Sequence, residues 1–136
     1  MPLGGLLGPT VLMSVVGVLA SCAQAVEIDD PRKPEVLAER NRIIRLLATD
    51  LGDDHDRTPA VCQVKVLRRQ APTTWAHASC SGAADAAGVR SAWATFIRVD
   101  GDKVSYPQDG SAYEPSLRAL YPEDLAEWTL EHPTGL

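Results

Sequence analysis

The sequence predicts an α+β domain in which an N-terminal amphipathic helix packs on a small antiparallel sheet of about four strands. Three observations support this prediction. Apolar residues recur at helical spacing between residues 34 and 51, two alternating runs flank a Pro-containing turn at 70–73, and a third alternating run ends at an Asp-Gly pair. One or two short helices are predicted after the sheet, so that residues 34–136 form a single domain.

The predicted helix begins at Pro34, a residue favoured in the first helical turn, and ends near Gly52. Its apolar stripe consists of Val36, Leu37, Ile43, Ile44, Leu47, Ala48 and Leu51. Charged residues fall largely on the other side, which favours a helix packed on a sheet over a membrane-surface or partner-binding helix. The charged stretch 26–33 that precedes it is predicted to be a flexible tether.

The first 25 residues contain no charged side chain, and the apolar run 10–20 has the length of a signal-peptide core. It is too short to span a bilayer comfortably. An Ala-x-Ala site at 23–25 predicts a signal peptide over 1–25 and a mature chain beginning at Val26. Alternatively, Leu-Ala-Ser-Cys at 19–22 resembles a bacterial lipobox, which would make 1–21 a lipoprotein signal and Cys22 the lipidated anchor. Both routes lead out of the cytoplasm, to the periplasm or the extracellular space.

Two strands, 61–69 and 74–80, are predicted to form a hairpin. A turn centred on Ala71 pairs Cys62 with Cys80, Val64 with Ala78, and Val66 with Ala76. Directly opposed residues of a non-hydrogen-bonded pair have Cα atoms about 4.5 Å apart, which a disulfide can bridge. We therefore expect a Cys62–Cys80 disulfide. Zinc binding by these cysteines and His77 is the rival interpretation, but the spacing is not a recognised zinc pattern and a fourth ligand is missing.

The two faces of this hairpin differ in composition. The first face, with the cysteines, is small and apolar, and the N-terminal helix is expected to pack on it. The second face mixes polar groups with Trp75 and is expected to be partly wet. His77 lies on this second face, either as a half-exposed strand residue or as a pH-sensitive contact.

The remaining strands follow from a third alternating run, 91–99. A two-residue loop at Asp100-Gly101 would place Ile97 opposite Val104 in a short fourth strand. The small residues of 81–90 are predicted to form a loop. Two short helices, over 115–120 and from Pro122 to 131, are predicted to cover an end or an edge of the sheet.

Four aromatic and eight acidic side chains lie between residues 100 and 131. Glu123, Glu127 and Glu131 are spaced by four and line one side of the last predicted helix. Aromatic residues beside charge are typical of protein interfaces. We therefore hypothesise that this helix face and the loop carrying Tyr106 and Tyr113 bind a basic protein.

No motif in the sequence indicates catalysis or a cofactor. The sequence has no nucleophile elbow, zinc-protease helix, phosphate-binding glycine loop or Cys-x-x-Cys pair. The consecutive acids and histidine of 53–56 (Asp-Asp-His-Asp) are interpreted as a solvated turn, because calcium loops spread their ligands over about a dozen residues. No metal site and no cofactor are predicted.

The net charge of −5 and the lack of an aromatic and basic platform argue against nucleic-acid binding. The charge is uneven, since residues 58–98 carry five basic side chains against one acid while residues 99–136 carry two against eight. We therefore favour a small exported non-enzymatic protein that binds another macromolecule, for instance an inhibitor or an immunity-type protein. The alternative is a small secreted hydrolase whose catalytic residues the sequence does not identify.

Overall fold

The structure, a computed structural model, describes residues 25–52, 61–84, 87–88 and 90–136. The elements are α1 (Pro34–Gly52), β1 (Val61–Gln70), β2 (Thr73–Ala84), β3 (Arg90–Asp100), β4 (Lys103–Ser105), α2 (Tyr113–Leu120) and α3 (Glu123–Glu131). A 3₁₀ turn, Gly110–Ala112, precedes α2. The strands form one antiparallel sheet in the order β1-β2-β3-β4. This architecture confirms the predicted α+β fold. The predictions for the leader, for Cys22 and for the turn around His55 lie outside the described residues.

Helix α1 packs on the first face of the sheet and forms one hydrophobic core with it. Val36, Ile43 and Leu47 of α1 are buried there, because their spacing places them on one side of the helix. The Glu39 carboxylate ties the helix to β2 by accepting a 2.8 Å hydrogen bond from the Thr74 hydroxyl. Arg42 donates to the Gly101 carbonyl at 2.7 Å, which joins α1 to the turn between β3 and β4.

The expectation that the second face is partly wet is confirmed, since one half of it is exposed, while the half nearest the β1–β2 turn carries a core of its own. Leu67, Trp75 and Phe96 are buried there beneath α2 and α3. The Tyr121 hydroxyl lies 2.7 Å from the Ile97 carbonyl and can donate a hydrogen bond to it. The two C-terminal helices therefore cover a face of the sheet, and not only an end or an edge.

The β1–β2 register is the predicted one. Cys62 is paired with Cys80, Val64 with Ala78, and Val66 with Ala76. A disulfide joins the two cysteines, as predicted, and their Cα atoms are 4.1 Å apart. The register then shifts between Val66 and Arg68, so that Leu67 is an extra residue in β1.

The β3–β4 turn lies one residue later than predicted. Its loop is Gly101-Asp102, and Val104 is therefore opposite Val99 and not Ile97. Gly101 has a φ of +58°, and a positive φ at the first loop position fits a type II′ turn. Asp100 stays in the strand, where its carboxylate accepts hydrogen bonds from the Thr73 hydroxyl at 2.7 Å and from Arg98 at 2.9 Å.

Two further segments differ from the prediction. Strand β2 runs on to Ala84, into the stretch that was expected to be a loop. Before α1, Val26 and Ile28 pack against the second core, and the Asp29 N–H donates to the Leu67 carbonyl at 2.8 Å. These contacts attach the segment to the domain, in contrast to the flexible tether that its charged composition indicates. Within the described residues, no helix has the length and apolarity that a membrane crossing requires.

Candidate functional site

A groove of about 480 Å³ lies on the second face of the sheet, at the end that α2 and α3 leave uncovered. Gln63, Ser79 and Ala94 come from three neighbouring strands and form its floor. All three are exposed, in contrast to the buried residues of the same face beneath the helices. The groove exists because the side chains here are small or polar and no helix covers them. Residues 133–136, called the C-terminal tail below, form one wall.

The C-terminal tail is fixed to the sheet at Gly135. The Lys65 ammonium donates to the Gly135 carbonyl at 2.7 Å and lies 5.8 Å from the centroid of the Trp128 ring, a cation–π arrangement. Gly135 is buried and has a φ of +72°. A Cβ atom at this position would lie 2.7 Å from Cγ of His77, so only glycine allows the tail to lie this close to the strand.

His77 lies at the inner end of the groove, with its ring edge-on to Phe96 at a centroid distance of 4.9 Å. Burial, and secondly the positive charge of Lys65, lower the pKa of His77 below its ordinary value of 6.5. The imidazole is therefore neutral at neutral pH and can both donate and accept hydrogen bonds. The structure confirms His77 as a half-buried strand residue, and its role as a pH-sensitive contact stays a prediction.

The described residues of the groove do not assemble a nucleophile, a base and an orienting carboxylate. Among its described lining residues there is no Asp or Glu that could orient His77. Ser79 follows His77 by two residues on the same strand, about 7 Å along it, and no hydrogen bond joins their side chains. A nucleophile and its base need contact within about 3.2 Å. In the part of the chain that the structure describes, no group of three His, Cys, Asp or Glu residues could hold a metal ion.

The predicted acidic surface on α3 is partly neutralised within the molecule. Glu123, Glu127 and Glu131 are all exposed. Arg118 of α2 forms an ion pair with Glu127 and a second one with Glu114 at 2.9 Å. Nearby, Arg68 of β1 binds Asp124 at 2.7 Å and lowers the pKa of that carboxyl. Part of the acidic segment 99–136 is therefore paired with basic residues of the same chain.

The structure places the two predicted tyrosines apart, with Tyr106 beside the first core and Tyr113 against the second core, which α3 also lines. Tyr106 makes an edge-to-face contact with Trp93 at 6.1 Å, and Trp93 packs against the first core. Tyr113 is half-buried against the second core. The binding of a basic protein by this surface stays a prediction, with α3 as its main element.

Sequence reasoning missed the groove because no local pattern indicates that the tail folds back across β2. The run Pro133-Thr134-Gly135 does predict a turn, which the structure closes with a 2.9 Å hydrogen bond from the Gly135 N–H to the His132 carbonyl, but a turn alone does not determine where the tail lies. Comparisons of the chain with protein-family models, with curated proteins and with solved structures each find no match. The function is therefore inferred from the residues of the site.

Proposed function

We propose that this protein is a small exported, non-enzymatic protein that binds another macromolecule through the groove on the second face of its sheet. The observation that carries this proposal is that the groove floor of Gln63, Ser79 and Ala94 is exposed, whereas the other half of the same sheet face is buried beneath α2 and α3. Grooves beside an exposed sheet edge are a form that protein surfaces take when they bind segments of other proteins. An inhibitor or immunity-type role is one form that such binding would take.

The alternative function, a small secreted hydrolase, has less support. General acid–base catalysis needs a positioned partner for the histidine, and the described groove residues supply Lys65 and no Asp or Glu side chain. A lysine next to His77 favours the neutral imidazole but does not orient it toward a nucleophile.

Export is supported by the apolar leader and by the disulfide. Disulfides persist in oxidising compartments and are rare in the cytosol of most organisms, so the Cys62–Cys80 bridge is compatible with the periplasm or the extracellular space. Signal-peptide cleavage before Val26 and lipidation of Cys22 are both retained as routes to that location.

Site-specific photo-cross-linking in the source organism tests the binding function. A photoreactive amino acid is placed at Ala94 in the groove, at Glu127 on α3, and at the exposed Ala38 of α1 as the matched control. We expect one defined adduct from Ala94 and none from Ala38. An adduct from Glu127 alone would move the binding surface to α3 and favour the basic partner. Adducts from none of the positions would refute a stable binding function.

A further inference from the structure

Strand β1 is an edge of the described sheet, and the described residues cover its outward side over only part of its length. Near the β1–β2 turn, the Asp29 N–H donates to the Leu67 carbonyl, and the Arg69 N–H donates to the Asp29 carboxylate at 2.9 Å. From Val61 to Lys65, none of the described residues supplies a backbone partner on that side. This stretch is called the open edge below.

The register identifies the backbone groups that the open edge presents. The Cα atoms of Cys62 and Cys80 are 4.1 Å apart, which is typical of a non-hydrogen-bonded pair. In such a pair the N–H and C=O groups point away from the partner strand, and the same holds for Val64 two residues later. The open edge therefore presents two donors and two acceptors in line, which is a template for an added strand.

The groove lies beside this edge. Successive side chains of a strand alternate between the two faces, so every second side chain of an added strand would point to the second face, where the groove lies. Val61 and Leu136 are 72% and 85% exposed, and they are two of the three large apolar side chains that are exposed in the described part of the chain. Val61 lies on the second face of β1, and Leu136 lines the groove.

The charge of this region favours an acidic ligand. The described lining of the groove contains Lys65 and no acidic side chain. The Lys65 ammonium has three N–H donors, of which the Gly135 carbonyl uses one. A carboxylate can therefore bind Lys65 without displacing the C-terminal tail, through a charge-assisted hydrogen bond.

We propose that the open edge binds an extended acidic peptide segment of another protein, which pairs with β1 as a fifth strand and directs a carboxylate toward Lys65. Main-chain hydrogen bonds to Cys62 and Val64 would provide affinity, and the groove with Lys65 would select the side chains. This inference rests on the proposed function, because it names the class of ligand that the same groove takes.

Capped seven-residue peptides of alternating Thr and Val with a central Glu are the probes, with Gln and Lys peptides as matched controls. Binding is followed by NMR on the ¹⁵N-labelled, disulfide-bonded domain. We expect the Glu peptide to shift the amide signals of Cys62 and Val64 and to slow their hydrogen exchange. Replacing Glu by Gln in the peptide should weaken binding about tenfold, because the charge-assisted bond is lost. The Lys peptide should bind more weakly still.

Two protein variants locate the site. Ala94→Trp fills the groove from an exposed strand position. It should lower the affinity for the Glu peptide about tenfold, which corresponds to the loss of one buried contact of ordinary strength. Ala38→Trp introduces the same side chain on the exposed side of α1 and should leave binding unchanged. Equal losses in both variants would place binding elsewhere and overturn the proposal.

Three other results would also overturn it. The first is equal affinity for the Glu and Gln peptides, and the second is binding that does not protect the Cys62 and Val64 amides from exchange. The third is concentration-dependent self-association that protects the same amides, because the added strand would then belong to a second copy of the chain. If the peptides do not bind but the cross-link from Ala94 to a partner is still observed, the ligand class is wrong and the proposed function stands. If both fail, the proposed function fails as well.

Discussion

Gly135→Ala tests how the C-terminal tail is held over the sheet. At the present φ of +72°, an alanine is disfavoured by about 1–2 kcal/mol relative to glycine. Its Cβ would also lie 2.7 Å from Cγ and 2.9 Å from Cβ of His77, distances that require one of the two segments to move. His77 belongs to a strand that is paired on both sides, whereas the tail is held by the hydrogen bond from Lys65 and by the bond from the Gly135 N–H to the His132 carbonyl. The tail should therefore be the segment that moves.

The expected result is a rise in the pKa of His77 toward 6.5, because burial is the main cause of its low value and the tail supplies part of that burial. The fall in the free energy of unfolding should be small, about 1–3 kcal/mol, since it is limited to the contacts of four terminal residues. The measurement is an NMR titration of the histidine ring protons, with His77→Phe used to assign the signal.

Gly110→Ala is the matched control. Gly110 has a φ of +69°, and a Cβ there would meet nothing within 4 Å, so this variant carries the same backbone strain without the contact to His77. It should lower stability by about 1 kcal/mol and leave the pKa of His77 unchanged. If Gly135→Ala also leaves the pKa and the ring-proton shifts of His77 unchanged, the tail does not lie over His77 and the description of the groove wall is wrong.

Three further predictions concern the disulfide, the acidic helix and export. Replacing Cys62 and Cys80 by Ala should lower the free energy of unfolding by about 2–4 kcal/mol, as measured by urea titration. Two titratable thiols in the unfolded, unreduced chain that begins at Val26 would contradict the disulfide. Changing Glu123, Glu127 and Glu131 to Lys should slow association with a basic partner and reduce its salt dependence while the circular dichroism spectrum is unchanged. An unaltered on-rate would leave α3 as a solvated surface. The intact mass of the protein from its native host should correspond to a chain beginning at Val26 or at a lipidated Cys22, and a soluble cytoplasmic form that retains Met1 would refute export.

The sequence was sufficient to predict the parts of the fold that local periodicity determines. The helical stripe of α1 and the alternation in β1 and β2 lead to the observed elements and to the pairing of Cys62 with Cys80. The position of the β3–β4 turn was not predictable from the Asp-Gly pair alone. It depends on Asp100 accepting a hydrogen bond from Thr73, a residue of another strand, and such a contact has no local signature.

The second core was underestimated for a related reason. Phe96 lies in a strand whose alternate residues, Ile97 and Val99 among them, face α1, so its burial depends on the two C-terminal helices that cover the opposite face. The groove is harder still to predict, since it is the part of that face which the helices do not reach. The composition of the strands differs between the halves, with Leu67, Trp75 and Phe96 in the covered one, but which elements cover them follows from tertiary packing.

The pH dependence of stability should isolate His77 from the carboxyl groups. The pKa of His77 is lowered in the folded protein, so the unfolded chain takes up its proton first as the pH falls below 6.5. The free energy of unfolding should therefore decrease from about pH 6.5 down to the folded pKa of His77. The pKa values of three carboxyl groups are also lowered, those of Glu39, Asp100 and Asp124. Their ordinary values are 4.5 for Glu and 3.8 for Asp, so their contribution to the free energy of unfolding is lost at lower pH than that of His77.

His77→Phe keeps a ring against Phe96 and removes the titrating group. We expect the difference in the free energy of unfolding between the variant and the wild-type protein to change between pH 7 and pH 5, with the wild type losing stability on acidification relative to the variant. Urea titrations at a series of pH values measure this difference. A difference that is constant over the range would mean that His77 has the same pKa in the folded and unfolded chains. The burial of its ring beneath Gly135 would then contribute nothing to its proton affinity, contrary to the cause assigned here.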